Sequence, residues 1–358
     1  LNASTDRIPG GRAAATAYLA LAILAAAPRP AQACATCGCS LNADAAMGYS
    51  TATGWRVNLE YDFINQDQLR TGTGTIAAAQ VAAINNAGGS QEVEHQTINR
   101  YLNLGINYRP SADWNLSLLV PYISRSHSTY SNATTSELAP SDLSYAQSNG
   151  LGDIKFIAGY QGILPAHNLG LQAGLKLPTG NYGGQNVVTG ATVGHNPTFF
   201  TGGPNAQAQQ ALDTSLDPGT GTTDAIVGAY YFQPVSRDFD AYASVQFQAA
   251  LFENLNQVNA DYRPGNLATF SFGTRYEADP HLIPQFQVNI TRKGADGGAL
   301  ADTGDTAGTV VYLSPGITVG LPFDLHAYGF VQVPVYSQLS GYQLYPHWTA
   351  SVGLNYRF

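Results

Sequence analysis

The chain of 358 residues carries 16 Lys and Arg against 24 Asp and Glu, a formal charge of −8. That balance excludes nucleic acid as a partner, because a phosphate backbone needs a basic face. Charged residues are only 11% and mean hydropathy is −0.11, so past the amino-terminal region no run of about 20 apolar residues can form a spanning helix.

Residues 1–33 read as a secretory signal peptide. Arg7 and Arg12 supply a positive start, Ala13 to Ala27 an apolar run, Pro28 and Pro30 a helix break, and Ala31-Gln32-Ala33 a small-residue cleavage site. The apolar run is too short for a good anchor. Without this segment the charge moves to −10, and Lys155, Lys176 and Lys293 are the only lysines. Residues 34–54 are expected to form a periplasmic tail.

All three cysteines, Cys34, Cys37 and Cys39, sit in that tail. Three thiolates this close suit a soft ion such as Cu(I), or zinc with a fourth ligand. A disulfide with one spare thiol, or an idle tail, is the competing expectation in an oxidising compartment. No His follows Cys37, so this is no haem-attachment motif. The Ala-Gln-Ala before Cys34 lacks the leucine of a lipoprotein signal.

From Trp55 to Phe358 the pattern is alternation. The first strand, Trp55 to Gln66, sets Trp55, Val57, Leu59, Tyr61 and Phe63 against Arg56, Asn58, Glu60 and Asp62. The second and third, Thr97–Tyr108 and Trp114–Ile123, repeat it across the turn Arg109 to Asp113. A fourth runs Gly152–Ile163 and a fifth Leu169–Leu177. The sixth and seventh, Asp224–Val235 and Phe239–Leu251, flank Ser236 to Asp238, although both faces of the sixth are apolar. The eighth to eleventh are Asn266–Ala278, Leu282–Thr291, Thr309–Gly320 and Leu325–Tyr336. The last strand ends on Leu354, Tyr356 and Phe358, with Ser351, Gly353, Asn355 and Arg357 on its other face.

One face of each strand is apolar, and the other is Asn, Gln, Ser, Thr, Gly and isolated charges. A soluble sandwich would place Lys and Glu on its outer face. We therefore expect an all-β, transmembrane, antiparallel up-and-down β-barrel of twelve strands spanning residues 55–358. Short and long connections alternate, and an even strand count puts both termini in the periplasm. Outer-membrane lipid is the expected surroundings, and the aromatic carboxy-terminal strand is the segment that barrel assembly machinery would read.

Three loops invite specific expectations. Ile76 to Ile84 is Ala-rich and predicts a short helix that folds inward or caps the rim. Val187 to Val193 predicts a hairpin inside the long loop 178–223; were it part of the wall, the count would be fourteen. The run Asp296 to Asp305 misses calcium-loop spacing and reads as a solvated external loop.

The lumen parity carries Arg56, Glu60, Asp62, Asp153, Lys155, Lys176, Arg275 and Arg357, the candidates for solute selectivity. Pairing among themselves is the competing expectation, and both signs are present. His326 is the one histidine expected inside, as a polar filler. No Ser–His pairing with catalytic spacing is visible, so we expect no enzyme.

Three segments add a resemblance. Asn149-Gly-Leu-Gly-Asp153-Ile-Lys-Phe156, the Leu-Lys-Leu-Pro-Thr-Gly run ending at Gly180, and Val120-Pro121-Tyr122 before a long loop resemble the outer-membrane "MetA-pathway of phenol degradation" proteins, often called transporters. The resemblance implies passage of small, often aromatic or hydrophobic, compounds and brings no catalytic residues. The cysteine cluster is not part of what defines that family. The two functional readings are thus an outer-membrane channel or facilitated transporter for small solutes, and a metal- or redox-linked envelope protein using Cys34, Cys37 and Cys39 with the barrel as anchor.

Overall fold

The computed structural model describes residues 52–87, 89, 91–131 and 138–358. The signal segment and the cysteine cluster fall outside them.

The wall is a closed antiparallel sheet. Its strands are β1 (Gly54–Gly72), β2 (Val93–Arg109), β3 (Trp114–Tyr130), β4 (Leu143–Leu151), β5 (Ile154–Tyr160), β6 (Leu169–Leu177), β7 (Thr222–Pro234), β8 (Phe239–Glu253), β9 (Leu267–Tyr276), β10 (Leu282–Lys293), β11 (Gly308–Leu321) and β12 (Leu325–Arg357). Each pairs with the next, except that β4 and β5 both pair with β3, and β12 closes the ring on β1 from Arg56↔Arg357 through Ile64↔Thr349. The ends meet through Trp55 and Phe358, whose amides each donate to the other's carbonyl at 3.0 Å.

The 33 residues of β12 are too many for one crossing. Up to Leu339 it pairs with β11, and from Leu339 onward with β1. Gly341 has φ +53°, and Gly329 stands beside Ser351, so the element folds back on itself as a hairpin. With β4 and β5 forming one crossing and β12 two, the wall is crossed twelve times. The predicted hairpin in the long loop is real but separate: Tyr182–Gln185 pairs with Thr192–His195 in its own two-stranded sheet. The wall therefore does not reach fourteen.

The lipid-facing side is apolar. Leu59, Leu104, Phe156, Leu171, Phe272, Val333 and Leu354 are all exposed on the outer surface. A belt of ring pairs rims the end that holds the termini: Trp55–Tyr108 at 4.5 Å, Trp114–Tyr160 at 5.0 Å and Phe239–Tyr276 at 4.8 Å. A second pair, Phe63–Trp348, lies eight residues further along β1. At about 3.3 Å per residue and a tilt near 40°, that separation is roughly 20 Å, the scale of a bilayer's apolar band. No helix among the described residues is long and apolar enough to cross a membrane. The chain is an outer-membrane-type β-barrel.

Several strands run past their predicted ends, all at the outer rim. β1 continues to Gly72, β2 begins at Val93 and β3 reaches Tyr130. β4 was expected to be loop. Its Ser144, Ala146 and Ser148 face inward and are buried, while Tyr145, Gln147 and Asn149 face out. Above the bilayer the outer face has no reason to be greasy, so the apolar parity that marks the other strands is missing there.

The outer end is covered by folded loops. Helix α1 (Ala78–Asn86) buries Val81 and Ala82 against Leu69, Val93 and Leu344, capping the rim as one of the two expectations had it. Leu255, Ala260, Tyr262 and Leu300 form another cluster, joined by Tyr182 and Val193 of the small hairpin. The Asp296–Asp305 run is not a solvated loop. Asp296, Asp302 and Asp305 are buried, and Asp296 accepts from the Gly265 amide (2.7 Å), the Tyr262 hydroxyl (3.0 Å) and Lys293 (2.8 Å). Composition read as solvent-facing because Asp and Gly usually are; here the carboxylates staple one loop to another. Burial, with the neighbouring Asp302 charge adding to it, pushes Asp305 up to about 7.

Candidate functional site

Inside the barrel the two halves differ. Toward the termini the lumen is filled by rings. Tyr230, Tyr242, Tyr328 and Phe330 are nearly inaccessible, and each lies flat over a glycine of an adjacent strand. A Cβ on Gly170 would stand 2.2 Å from the Tyr230 ring, one on Gly273 2.4 Å from the Tyr242 hydroxyl, and one on Gly316 2.1 Å from Phe330. Gly353 does the same for Tyr328. Glycine inside these strands is thus a slot for an inward ring.

Around Tyr328 the polar groups are hydrogen-bonded. The Tyr328 hydroxyl donates to Glu60 (2.7 Å) and also lies within hydrogen-bond distance of Asn58. Asp62 accepts from Asn103 (2.8 Å) and from the Ser351 hydroxyl. Glu60 and Asp62 therefore rigidify the middle of the lumen.

Higher up lies a cavity of about 260 Å³. Its floor and walls include Asp62, Tyr101, Leu119, Ile123, Leu267 and Lys155, and residues 215–220 of the long loop roof it. That loop is held inward by Arg125, whose guanidinium donates to the carbonyls of Ser215 (3.4 Å) and Asp217 (3.5 Å) and to Asn99. Burial pushes Asp217 up to about 7, against the Thr198 amide and the Arg125 charge, which pull it down.

The three segments quoted for the resemblance converge here. Pro121 has no N–H, and opposite it the wall strand breaks at Gly152 and Asp153 between β4 and β5. The Gly152 amide donates to the Pro121 carbonyl at 2.8 Å. Thr179 donates to the Gly152 carbonyl and accepts from the Ile154 amide, both at 2.9 Å. Asp153 accepts from the Gly180 amide (3.1 Å) and the Thr220 amide (3.0 Å), which lie at the two ends of the long loop. Gly180 and Gly219 touch so closely that a Cβ on Gly180 would stand 2.8 Å from the Gly219 Cα. The three segments form one clasp that pins the loop to the wall.

Lys176 completes it. Its ammonium bridges Asp153 (2.7 Å) and Asp224 (3.4 Å) and donates to the Thr222 carbonyl (3.0 Å) and to Thr220. Buried charges persist only when paired and hydrogen-bonded, and Lys176 meets that condition.

Of the eight charged candidates, the structure brings Asp62, Asp153, Lys155 and Lys176 to the cavity. Glu60 lies below, among the rings. Arg56 and Arg357 sit at the terminal mouth beside Arg109, and Arg275 pairs with Glu277 at 2.9 Å near the same end. Cys34, Cys37 and Cys39 lie outside the described residues. Sequence reasoning missed Arg125, Asp224 and His127. His127 is the buried interior histidine, 2.8 Å from Thr97, whereas His326 is half-buried. Arg125 and His127 were missed because β3 was expected to stop at Ile123; continuing its alternation by four residues puts both inward.

The chain matches no protein-family model and no curated protein. Among solved structures it is similar to an outer-membrane channel from Pseudomonas putida, with a TM-score of 0.58, 11% identity, and 86% of this chain and 96% of that chain covered. The β domain of a Bordetella autotransporter gives 0.46 at 11% identity over 86% and 100% of the two chains. A toluene transporter from Ralstonia pickettii gives 0.40 at 10% identity over 86% and 90%. The first of these establishes the shared fold.

Proposed function

We infer that this protein is a channel or facilitated transporter of the bacterial outer membrane for small solutes with an apolar or aromatic body. The observation that carries this reading is the 260 Å³ cavity, enclosed by the wall and roofed by an inward loop. A cavity of about 150 Å³ already accepts benzene, so a one-ring solute fits with room for a substituent. The resemblance to the phenol-degradation transporters supports the aromatic part, since the segments that carry it build this clasp. The rings below the cavity make the resting lumen narrow, so passage is slow and selective rather than porin-like. Charged candidates line the route, and we assign them to solute orientation rather than to catalysis. The strand ending on Phe358 is assigned to recognition by the assembly machinery.

The test is conductance and solute flux of the refolded protein in planar bilayers and liposomes. Small conductance steps, with benzyl alcohol crossing faster than a polar solute of equal size, are expected. A folded barrel that passes neither ions nor any solute overturns the reading.

A further inference from the structure

Among the described residues Lys155 is the cavity cation without a contact ion pair, Asp153 and Asp224 acting on it only at longer range. It projects inward from β5, directly opposite Lys176 on β6. Two ammonium groups facing each other across neighbouring strands repel, so the arrangement persists only with compensation. Lys176 receives it: both nearby carboxylates, Asp153 and Asp224, are within ion-pair distance of its Nζ. The other cations of the cavity are engaged too. Arg125 holds loop carbonyls, and Lys293 pairs with Asp296 at 2.8 Å. Among the described residues the Lys155 side chain has neither a hydrogen bond nor an ion pair, and it is half-buried on the cavity wall with Leu119 as its register partner on β3.

The surroundings fix what would answer it. The lining is mixed: Leu119, Pro121, Ile123, Leu267 and the ring of Tyr101 give it apolar surface, and the carboxylates of Asp153 and Asp224 are held by Lys176. Asp62, also in the lining, is hydrogen-bonded to Asn103 and Ser351. An ammonium without a contact ion pair, set beside apolar surface, matches a solute with one anionic group on an apolar body. An inorganic anion would gain the charge but not the wall, and a neutral hydrocarbon the wall but not the charge.

We propose that the cavity is a binding site for small aromatic monocarboxylates, with Lys155 as the residue that captures the carboxylate. This rests on the channel reading and names its solute class. Lys176, two carboxylates away from being free, is structural; Lys155 is the specificity determinant.

The experiment uses the full protein in detergent and in bilayers, with benzoate, benzyl alcohol and acetate as probes. Calorimetry reads binding independently of conduction. Benzoate is expected to bind the wild type and to block its current, more tightly than acetate or benzyl alcohol. Lys155→Met is expected to weaken benzoate at least about tenfold, the order of one charge-assisted hydrogen bond, while benzyl alcohol is unchanged. Lys155→Arg retains most of the effect. If benzoate and benzyl alcohol behave alike in the wild type, or if benzoate is indifferent to Lys155→Met in a correctly folded barrel, the proposal is overturned while the channel reading stands. A barrel that binds benzoate through Lys155 yet passes no solute overturns the channel reading and leaves the site. Binding of acetate as tight as benzoate overturns the aromatic assignment.

Discussion

The wall of this barrel and the loops that close its outer end are held by different forces. In the wall, the backbone ladder is complete around the ring, and the side chains divide into a lipid face and a lumen face. The apolar face gains from being in lipid rather than from being buried in protein. The loops have no lipid to lean on. They are held by small apolar clusters under α1 and under Tyr262, and by charged side chains that reach across the lumen to backbone groups. Substitutions in the wall should therefore act on stability, and substitutions in the clasp on what passes.

The largest effect on both at once is expected in the ring-filled half. Tyr242→Ala and Tyr328→Ala remove buried rings that neighbouring glycines cannot replace, at a cost of about 3–5 kcal/mol each. They also widen the lumen below the cavity. Urea unfolding should show the loss, and bilayer recordings a severalfold rise in conductance. Unchanged conductance would mean that the loop roof, not the rings, limits passage.

The next contrast sets the two faces of one strand against each other. On β9, Phe272 is exposed to lipid and Ser271 is buried in the lumen. Phe272→Arg is expected to cost about 2–4 kcal/mol, as charges do at mid-membrane depth. Ser271→Arg keeps its charge in the lumen and should change ion selectivity more than the unfolding midpoint. Equal destabilisation at both positions would break the comparison.

How much of this was legible from the residues follows the same division. Strand alternation is a wall property, because lipid and water enforce it; Leu169–Leu177 is reproduced to the residue, and the strands expected at 152–163 and between 224 and 320 to within three residues. Where the wall rises above the bilayer the enforcement ends, so β4 and the outer half of β3 were invisible, and with them Arg125 and His127. Of the site, Asp153, Lys155 and Lys176 were readable as inward charges on strands. That Asp153 and Lys176 pair while Lys155 has no contact ion pair among the described residues was not, since it depends on Asp224, on a strand whose facing was ambiguous, and on Thr220 at the far end of a long loop. The three family-like segments were readable as short Gly- and Pro-rich runs. That they touch one another is a tertiary fact.

The clasp itself gives a smaller effect than the lipid face of the wall. Asp153→Asn removes one of two carboxylates from Lys176 and leaves one acceptor oxygen for the amides of Gly180 and Thr220, which bond different oxygens of Asp153. With Asp224 still in place, we expect about 1–3 kcal/mol of destabilisation. The clearer readout is local: protease cleavage within residues 178–221 should accelerate while the wall stays resistant. Cleavage at the wild-type rate would mean that the apolar contacts of the loop, around Leu212 and Leu216, hold it without the clasp.

The smallest effect, and the one that separates loop from wall most cleanly, is pH dependence. Asp217 lies in the roof of the cavity, buried, with one carboxylate oxygen accepting from the Thr198 amide at 3.1 Å. Burial raises it to about 7 from an ordinary 3.8. An acid raised by folding binds more protons in the folded loop than in the released one between those two values. The packed loop is thus favoured fully below about 4, and that advantage is lost as pH rises through about 7, after which the dependence flattens. Conductance measured between pH 5 and pH 8 should therefore rise with pH, as the roof loosens. Asp217→Asn, neutral at every pH, should hold the low conductance throughout, and the wall should unfold at the same urea concentration at both ends of the range. A pH response that survives Asp217→Asn would move the titration to Asp305, in the cap, and leave the cavity roof indifferent to protons.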